Sequence, residues 1–251
     1  SLGHTMNIYV ADYNLENLEF LPFFETNEYT KKFNFHSGGK IQKFKDNKIL
    51  FSIGTKATQK HKVQDINALV GKIISIDKTT KEFKIISLGH RNPQGLLYSK
   101  KFDLIINSEH GPKGGDEVNF NFVKQQKILN YGWPIASYGI EYDGSDLYKK
   151  SHKEFGFEEP FKVYTPAIGI SEIILLPKET GLGNTNKLII SSLRAGSIYI
   201  AELSKDLKKI IKEDRIFFVN QRIRDIIYDK DSNSILLIFE MIPSIGVLQL
   251  N

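Results

Sequence analysis

The sequence predicts an all-β fold, and three observations carry that expectation. Short segments alternate apolar and polar residues, turns rich in Asp, Asn, Gly or Lys separate them, and one kind of segment recurs along the chain. Ile41 to Phe44 and Ile49 to Ile53 flank Lys45-Asp46-Asn47-Lys48, and Ile73 to Ile76 and Phe83 to Ile86 flank a turn from Asp77 to Lys81. Leu188 to Leu193 turns through Arg194-Ala195-Gly196 into Ile198 to Leu203, and Ile226 to Tyr228 turns through Asp229 to Asn233 into Ile235 to Phe239. Such pairs read as antiparallel hairpins, which argues against a crossover α/β sheet. The segments "KILFSIG", "FDLIINSE", "NKLIISSL" and "NSILLIFE" recur at irregular intervals of roughly 50 to 85 residues. Three of them are later followed by a Gly-led strand, "GKIISID", "GSIYIAEL" and "GVLQLN". A radial array of small sheets, a β-propeller with variable loops, meets both patterns. A β-sandwich is the rival, but long Gly/Pro-rich connections suit loops crowded at one end of a propeller. Ser204 to Asp214 tests the reading, because Ser204 could cap a helix that places Leu207, Ile210 and Ile211 at helical spacing. A strand is due there in the repeat, so turn plus strand is expected.

The 251 residues, 41% hydrophobic and 25% charged, suffice for one large domain or two small ones. The net charge of +5 comes from 34 basic residues interspersed with 29 acidic ones, without a basic run that would track phosphates. Nucleic acid is therefore not an expected partner. Cysteine is absent, which excludes disulfides, thiolate metal sites and cysteine nucleophiles. No stretch approaches the ~20 apolar residues of a membrane span. Residues 1–6 read as an expression-tag remnant ahead of a start methionine, and 7–251 as a single propeller domain.

The loops carry the chemistry. "FNFHSGGKI" holds His36 before two glycines; such a histidine is either an ordinary surface or core residue or one that faces a ligand. "GHRNPQGL" sets Arg91 and Asn92 ahead of Pro93, which pushes Asn92 to an extended conformation. An Arg beside an amide suits an anionic, oxygen-rich ligand, and a structural turn is the alternative. "EHGPKGGDEVNF" crowds Glu109, His110, Asp116 and Glu117 around glycines. Carbonyls of Gly111 and Pro112 with carboxylates of Asp116 and Glu117 are the oxygen donors a hard cation such as Ca²⁺ takes, and a solvated acidic loop is the rival. Adjacent in sequence, Asp116 and Glu117 cannot share one strand face. "NYGWP" contains Tyr131 and the single Trp133, and alone reads as a packing turn. In "QRIRDI", a strand would send Arg222 and Arg224 from one face and Ile223 into the core. Two like charges there call for something anionic, either a salt bridge to Asp225 or another acid, or a bound polycarboxylate. Arg194 in "SSLRAG" ends another strand and could reach the same centre.

In this order, "FHSGGKI", "GHRNPQGL", "EHGPKGGDEVN", "NYGWP", "SSLRAG" and "RIRDI" resemble the soluble quinoprotein glucose dehydrogenases and aldose sugar dehydrogenases, the glucose/sorbosone dehydrogenases. The resemblance runs from about Ile8 to the C-terminus. It implies a six-bladed β-propeller, here N-terminally shortened to about five blades or an incomplete six, typically in the periplasm or secreted. It implies oxidation of the C1 hydroxyl of aldoses with pyrroloquinoline quinone (PQQ) and Ca²⁺. By resemblance His36 is the general base, Arg91 and Asn92 contact the cofactor, and Arg194 stands where a lysine is common. Arg222 and Arg224 match the pair that meets the cofactor's carboxylates. Gly111 and Pro112 match the carbonyls that hold the cofactor Ca²⁺, and Glu117 and Tyr131 match positions around a second, structural Ca²⁺. The aldose is the implied substrate, the electron acceptor is not specified, and a homo-dimer is left open.

The chain also departs from the family. Phe35 replaces an acid before the histidine, Gly54-Thr55-Lys56 replaces a Gly-Asp-Gln ending, and roughly a blade and a half precedes the point matching Ile8 in family members. A propeller needs closure to hide its sheet edges. The second functional reading is thus a non-catalytic propeller that binds carbohydrate or protein through its loop face. A metal-dependent lactonase of the propeller type would need inward Glu, Asn and Asp ligands from separate blades, which are not evident.

Overall fold

The computed structural model describes residues 3–13, 17–31, 36–55, 57–176, 180, 182, 184–217 and 221–250. Phe35 and Lys56, two of the departures, lie outside them. β1 (Asn7–Val10) and β2 (Leu21–Glu25) form a two-stranded sheet. β3 (Gly38–Phe44), β4 (Lys48–Ile53), β5 (Lys72–Asp77) and β6 (Phe83–Leu88) meander antiparallel, and β10 (Leu129–Asn130) joins β6 in parallel. β7 (Pro93–Ser99), β8 (Leu104–Glu109), β9 (Asp116–Phe122) and β11 (Lys162–Tyr164) make the next sheet. β12 (Ile170–Leu176), β13 (Lys187–Ser192), β14 (Ser197–Leu203) and β15 (Ile210–Phe217) make the one after, and β16 (Ile223–Asp229), β17 (Ser234–Phe239) and β18 (Ser244–Gln249) the last.

All four hairpins expected from the sequence form. In the β3–β4 turn Asn47 adopts φ 57, a left-handed conformation that asparagine tolerates, and its amide donates to Asp77 and Thr79 of the next turn. Ser204 caps a tight turn rather than a helix: its Oγ accepts from the backbone of Lys208 and Lys209, and β15 follows. Strand pairing with β14 outweighs the helical spacing, because Leu207 and Ile210 reach the core from the turn and the strand.

The arrangement is radial. The first strands β3, β7, β12 and β16 lie side by side in succession, and each sheet packs face to face on the next. Leu50 and Ile73 meet Leu96 and Ile105; Leu104, Ile106 and Val118 meet Ile173, Leu188 and Ile190; Ile189 and Ile198 meet Ile223, Ile226, Ile235 and Leu237. The β1–β2 pair packs Ile8 and Phe24 on Phe51, Ile53, Ile74 and Ile76. Strands buried on both faces explain the near-continuous apolar runs such as "LIIN". At the two ends of the row apolar side chains remain exposed, Ile227, Ile245 and Val247 on the last sheet and Tyr9, Val10 and Leu21 on β1–β2. Faces of this composition are covered by a neighbouring sheet everywhere else in the row.

One polar tie crosses the centre. Lys40 of β3 forms a salt bridge with Glu172 of β12, itself buried, and a second with Asp225 of β16 at 3.1 Å. Asp225 is thus engaged by Lys40 and not by the arginines beside it. Burial pushes the Glu172 carboxyl up to about 7, with Lys40 opposing, and the same two acids raise the Lys40 ammonium above its usual value despite its own burial. No described helix is long and apolar enough to cross a membrane.

Candidate functional site

The loops at one end of the first strands enclose a cavity of about 350 Å³. His36, Arg91, Asn92, Gly111, Pro112, Arg194, Arg222 and Arg224 all line it, so the predicted residues converge although they span positions 36 to 224. Gln94, His110, Lys113, Asp116 and Tyr142 line it as well. Four arginines and a lysine face one acid, Asp116, and that carboxyl is committed elsewhere: Oδ1 accepts from the Gly111 backbone at 3.1 Å and Oδ2 from Ile170 at 3.0 Å. Burial nevertheless pushes the Asp116 carboxyl above its usual value. Asp116 thus clamps the Gly111 loop to the start of β12.

Arg91 is buried at the centre. Its Nη1 donates to the His110 carbonyl at 3.1 Å, its guanidinium lies 5.4 Å from the Trp133 ring, and Nη2 stands 3.4 Å from His36 Nε2. Thr55 holds this segment, donating Oγ1 to the His90 carbonyl and its N–H to the Arg91 carbonyl. Because a guanidinium only donates, the Nε2 facing it must carry the lone pair, with the imidazole proton on Nδ1. Burial and then the charge of Arg91 lower His36 to about 4, so the ring is neutral near pH 7. The Oδ1 of Asn92 accepts from the Gly38 N–H at 3.2 Å and from Gln94 Nε2 at 3.1 Å, which leaves its Nδ2 as the donor for a ligand.

Arg222 and Arg224 do find the bland partner as well. Arg224 Nη2 lies 2.6 Å and Arg222 Nε 3.5 Å from Glu240, with Ile223 buried between them as alternation requires. One exposed carboxylate neutralises half of that pair, and both arginines keep a side toward the cavity. Arg194 is exposed at the rim.

The acid-rich stretch differs from expectation. Only residues 110–115 are loop; Glu109 ends β8, Asp116 and Glu117 begin β9, and all three are buried, so no solvated acidic loop exists there. Gly111 allows the tight curl, since a Cβ on it would lie 2.1 Å from the Gly115 carbonyl oxygen. Asp116 and Glu117 point opposite ways, as adjacent strand residues do: Asp116 to the arginine-lined cavity, Glu117 to a small enclosed space shared with Glu109, Tyr131, Trp133 and Ser137. Glu109 and Glu117 are direct cross-strand partners, a like-charge pair. His90 Nδ1 binds Glu109 at 2.9 Å, whereas Glu117 Oε2 has no partner. Burial, with Glu109 adding to it, pushes Glu117 well above its usual range. Paired buried carboxyls with an orphaned oxygen are donors of the kind a hard cation takes, but Arg91 lines the same space and no third acid or histidine completes a metal-binding group among the described residues. Tyr131 contributes no hydroxyl there, because its OH donates to the Phe120 carbonyl at 2.9 Å. Trp133 packs with Val63, Val70 and Tyr148, as its turn predicted.

Gln94, His110 and Tyr142 went unassigned in the sequence. Gln94 follows Asn92 by two residues and donates to its Oδ1, a neighbour that the spacing alone could have suggested. Tyr142 sits in a long connection whose path no periodicity reveals.

The description "Glucose / Sorbosone dehydrogenase" matches residues 4–241. The chain belongs to this family. It is 29% identical over 206 residues to the aldose sugar dehydrogenase YliI of Escherichia coli K12, covering 76% of this chain and 54% of that protein. A crystal structure of the soluble aldose sugar dehydrogenase from Escherichia coli in the apo-form superposes with a TM-score of 0.73 at 26% identity, over 92% of this chain and 67% of that one. The PQQ-bound aldose sugar dehydrogenase of Streptomyces coelicolor shares the fold, with a TM-score of 0.70 at 20% identity over 96% and 70% of the two chains. This member of the family spans about half the length of the curated relatives it matches.

Proposed function

We propose that the chain is the bulk of a quinone-dependent sugar dehydrogenase that oxidises the C1 hydroxyl of aldoses. The observation that carries the reading is the cavity lined by Arg91, Arg194, Arg222 and Arg224 whose one acid is locked into backbone contacts. A surplus of fixed guanidinium groups calls for a polyanion, and PQQ is a planar tricarboxylate. When bound, PQQ supplies the quinone that accepts hydride from C1, and Ca²⁺ supplies Lewis acidity. The chain's own residues do the rest. Arg222 and Arg224 take carboxylates, Arg91 and the Asn92 amide orient the planar group, and the carbonyls of Gly111 and Pro112 hold the cation. His36 Nε2, once its lone pair turns from the long 3.4 Å contact with Arg91 to the substrate, takes the hydroxyl proton as the C–H bond breaks, a role its neutral state permits. Glu117 and the Tyr131 backbone flank the structural cation. A periplasmic or secreted location goes with the same reading.

Calorimetric titration with PQQ, with Ca²⁺ and then with chelator, tests the proposal. Tight, Ca²⁺-dependent binding is expected; absence of binding would leave the non-catalytic propeller as the better reading. Arg222→Ala should weaken PQQ binding by about 1.5 to 3 kcal/mol, the worth of a charge-assisted hydrogen bond. Unchanged affinity would show that Glu240 alone accounts for this arginine.

A further inference from the structure

We infer that Tyr142 is the platform on which the sugar ring lies, an inference that rests on the dehydrogenase reading. The cavity lining is mostly charged, polar or glycine; of its aliphatic members Pro112 and Leu193 are buried and Ala167 is half-buried. Tyr142 is the exception: an aromatic ring at the same cavity, 67% exposed. An exposed ring could be incidental, but the segment bearing it is built to hold it. Glu141 and its neighbours close a tight turn, with the Glu141 N–H donating to the Ser145 carbonyl at 2.8 Å and the Gly144 N–H to the Glu141 carbonyl at 3.0 Å. Asp143 accepts from the Ser145 N–H and hydroxyl. The Glu141 carboxylate takes Lys60 at 3.0 Å and the Tyr148 hydroxyl. Ile140 pairs by two backbone hydrogen bonds, 2.9 and 3.0 Å, with Lys113, so this turn is fused to the loop that carries Gly111 and Pro112.

A backbone turn held in advance loses little freedom when the ring it carries is covered. Aldoses present C–H groups on one face and hydroxyls at the edge, and the exposed ring of Tyr142 suits the apolar face better than the guanidinium groups around it. Covering one sugar face on Tyr142 removes on the order of 60 Å² of apolar surface from water, which corresponds to about tenfold in affinity.

The test measures PQQ affinity by calorimetry and glucose binding by saturation-transfer NMR on Ca²⁺- and PQQ-supplemented protein, for wild type, Tyr142→Ala and Tyr142→Phe, with turnover recorded alongside. Tyr142→Ala is expected to weaken glucose binding about tenfold, Tyr142→Phe to stay within about twofold, and PQQ affinity to hold in both. Equal glucose binding by wild type and Tyr142→Ala overturns the platform while leaving the dehydrogenase reading intact. A loss of PQQ affinity in Tyr142→Ala without a change toward glucose overturns it too, by making the ring a cofactor contact. Glucose binding that depends on Tyr142 in a protein that oxidises no sugar keeps the platform and removes the enzyme. A wild type that binds no glucose overturns the platform, while the dehydrogenase reading is decided by the PQQ titration.

Discussion

His36→Ala is expected to lower sugar turnover by about 10² to 10⁴, the usual contribution of a positioned general base, while PQQ affinity changes by no more than a few fold. The split follows from the geometry. His36 meets the cavity through one imidazole nitrogen, beside Arg91, whereas the groups placed to take the cofactor's charge are the arginines. Comparable losses in turnover and affinity would instead make His36 a cofactor-binding residue. A pH profile gives a second reading of the same residue. Burial and Arg91 lower His36 from 6.5 to about 4, so its base form persists into mildly acidic solution. The acid limb of kcat/KM should therefore fall below the 6.5 of an ordinary imidazole. An acid limb centred at or above 6.5 would assign the essential base to another group.

Lys40→Ala is expected to destabilise the fold by about 3 kcal/mol at pH 8, on the order of 6 to 12 °C in melting temperature, and by much less at pH 5. Lys40 is the sole described ion-pair partner of Glu172, whose side chain is 5% exposed, and it also reaches Asp225. The dependence on pH follows from the raised carboxyl. Glu172 titrates at about 7 in the fold against an ordinary value near 4.5, so the folded state holds its proton more tightly than the unfolded chain does. That contribution is complete below about 4.5 and is lost as the pH rises through 7. At pH 5 Glu172 is neutral and has little need of Lys40; at pH 8 removing Lys40 strands a buried charge. Glu172→Gln on the Lys40→Ala background should recover most of the loss at pH 8. An equal effect of Lys40→Ala at both pH values would show that Lys40 acts through packing of its aliphatic stem.

Alternation and turn chemistry made the four hairpins legible, and the strand after Ser204 was legible because it completed a repeat. The cavity residues were legible chiefly as a set in order; no single motif distinguished His36 or Arg194 from a surface residue. What stayed hidden depended on which sheet lies against which. Composition left Glu109, Asp116 and Glu117 open between cation donors and a solvated loop, and did not show that Glu109 and Glu117 sit directly opposite on paired strands between packed sheets. Glu240 is the partner of Arg222 and Arg224 through the register of the β16–β17 hairpin, in which Ile223 pairs with Phe239 and the Glu240 N–H donates to the Arg222 carbonyl, a register that the hairpin's presence alone does not fix. Lys40 resembles any outward lysine of an alternating strand until β12 and β16 are set beside it.

The cavity draws on four sheets, from His36 at the start of the first to Arg224 in the last. No single hairpin, and no pair of neighbouring sheets, contains enough of it to hold a ligand. Contacts so distant in sequence form late and slowly as the chain folds, so the cavity comes into existence only with the complete tertiary structure. A ligand of this cavity thus recognises the native population alone, and at a hundred times its dissociation constant it adds about 2.7 kcal/mol to stability. Melting temperature then reports on ligands of the cavity without any turnover, and a substitution outside its lining, such as one at Lys40, weakens apparent affinity wherever it depletes the folded population.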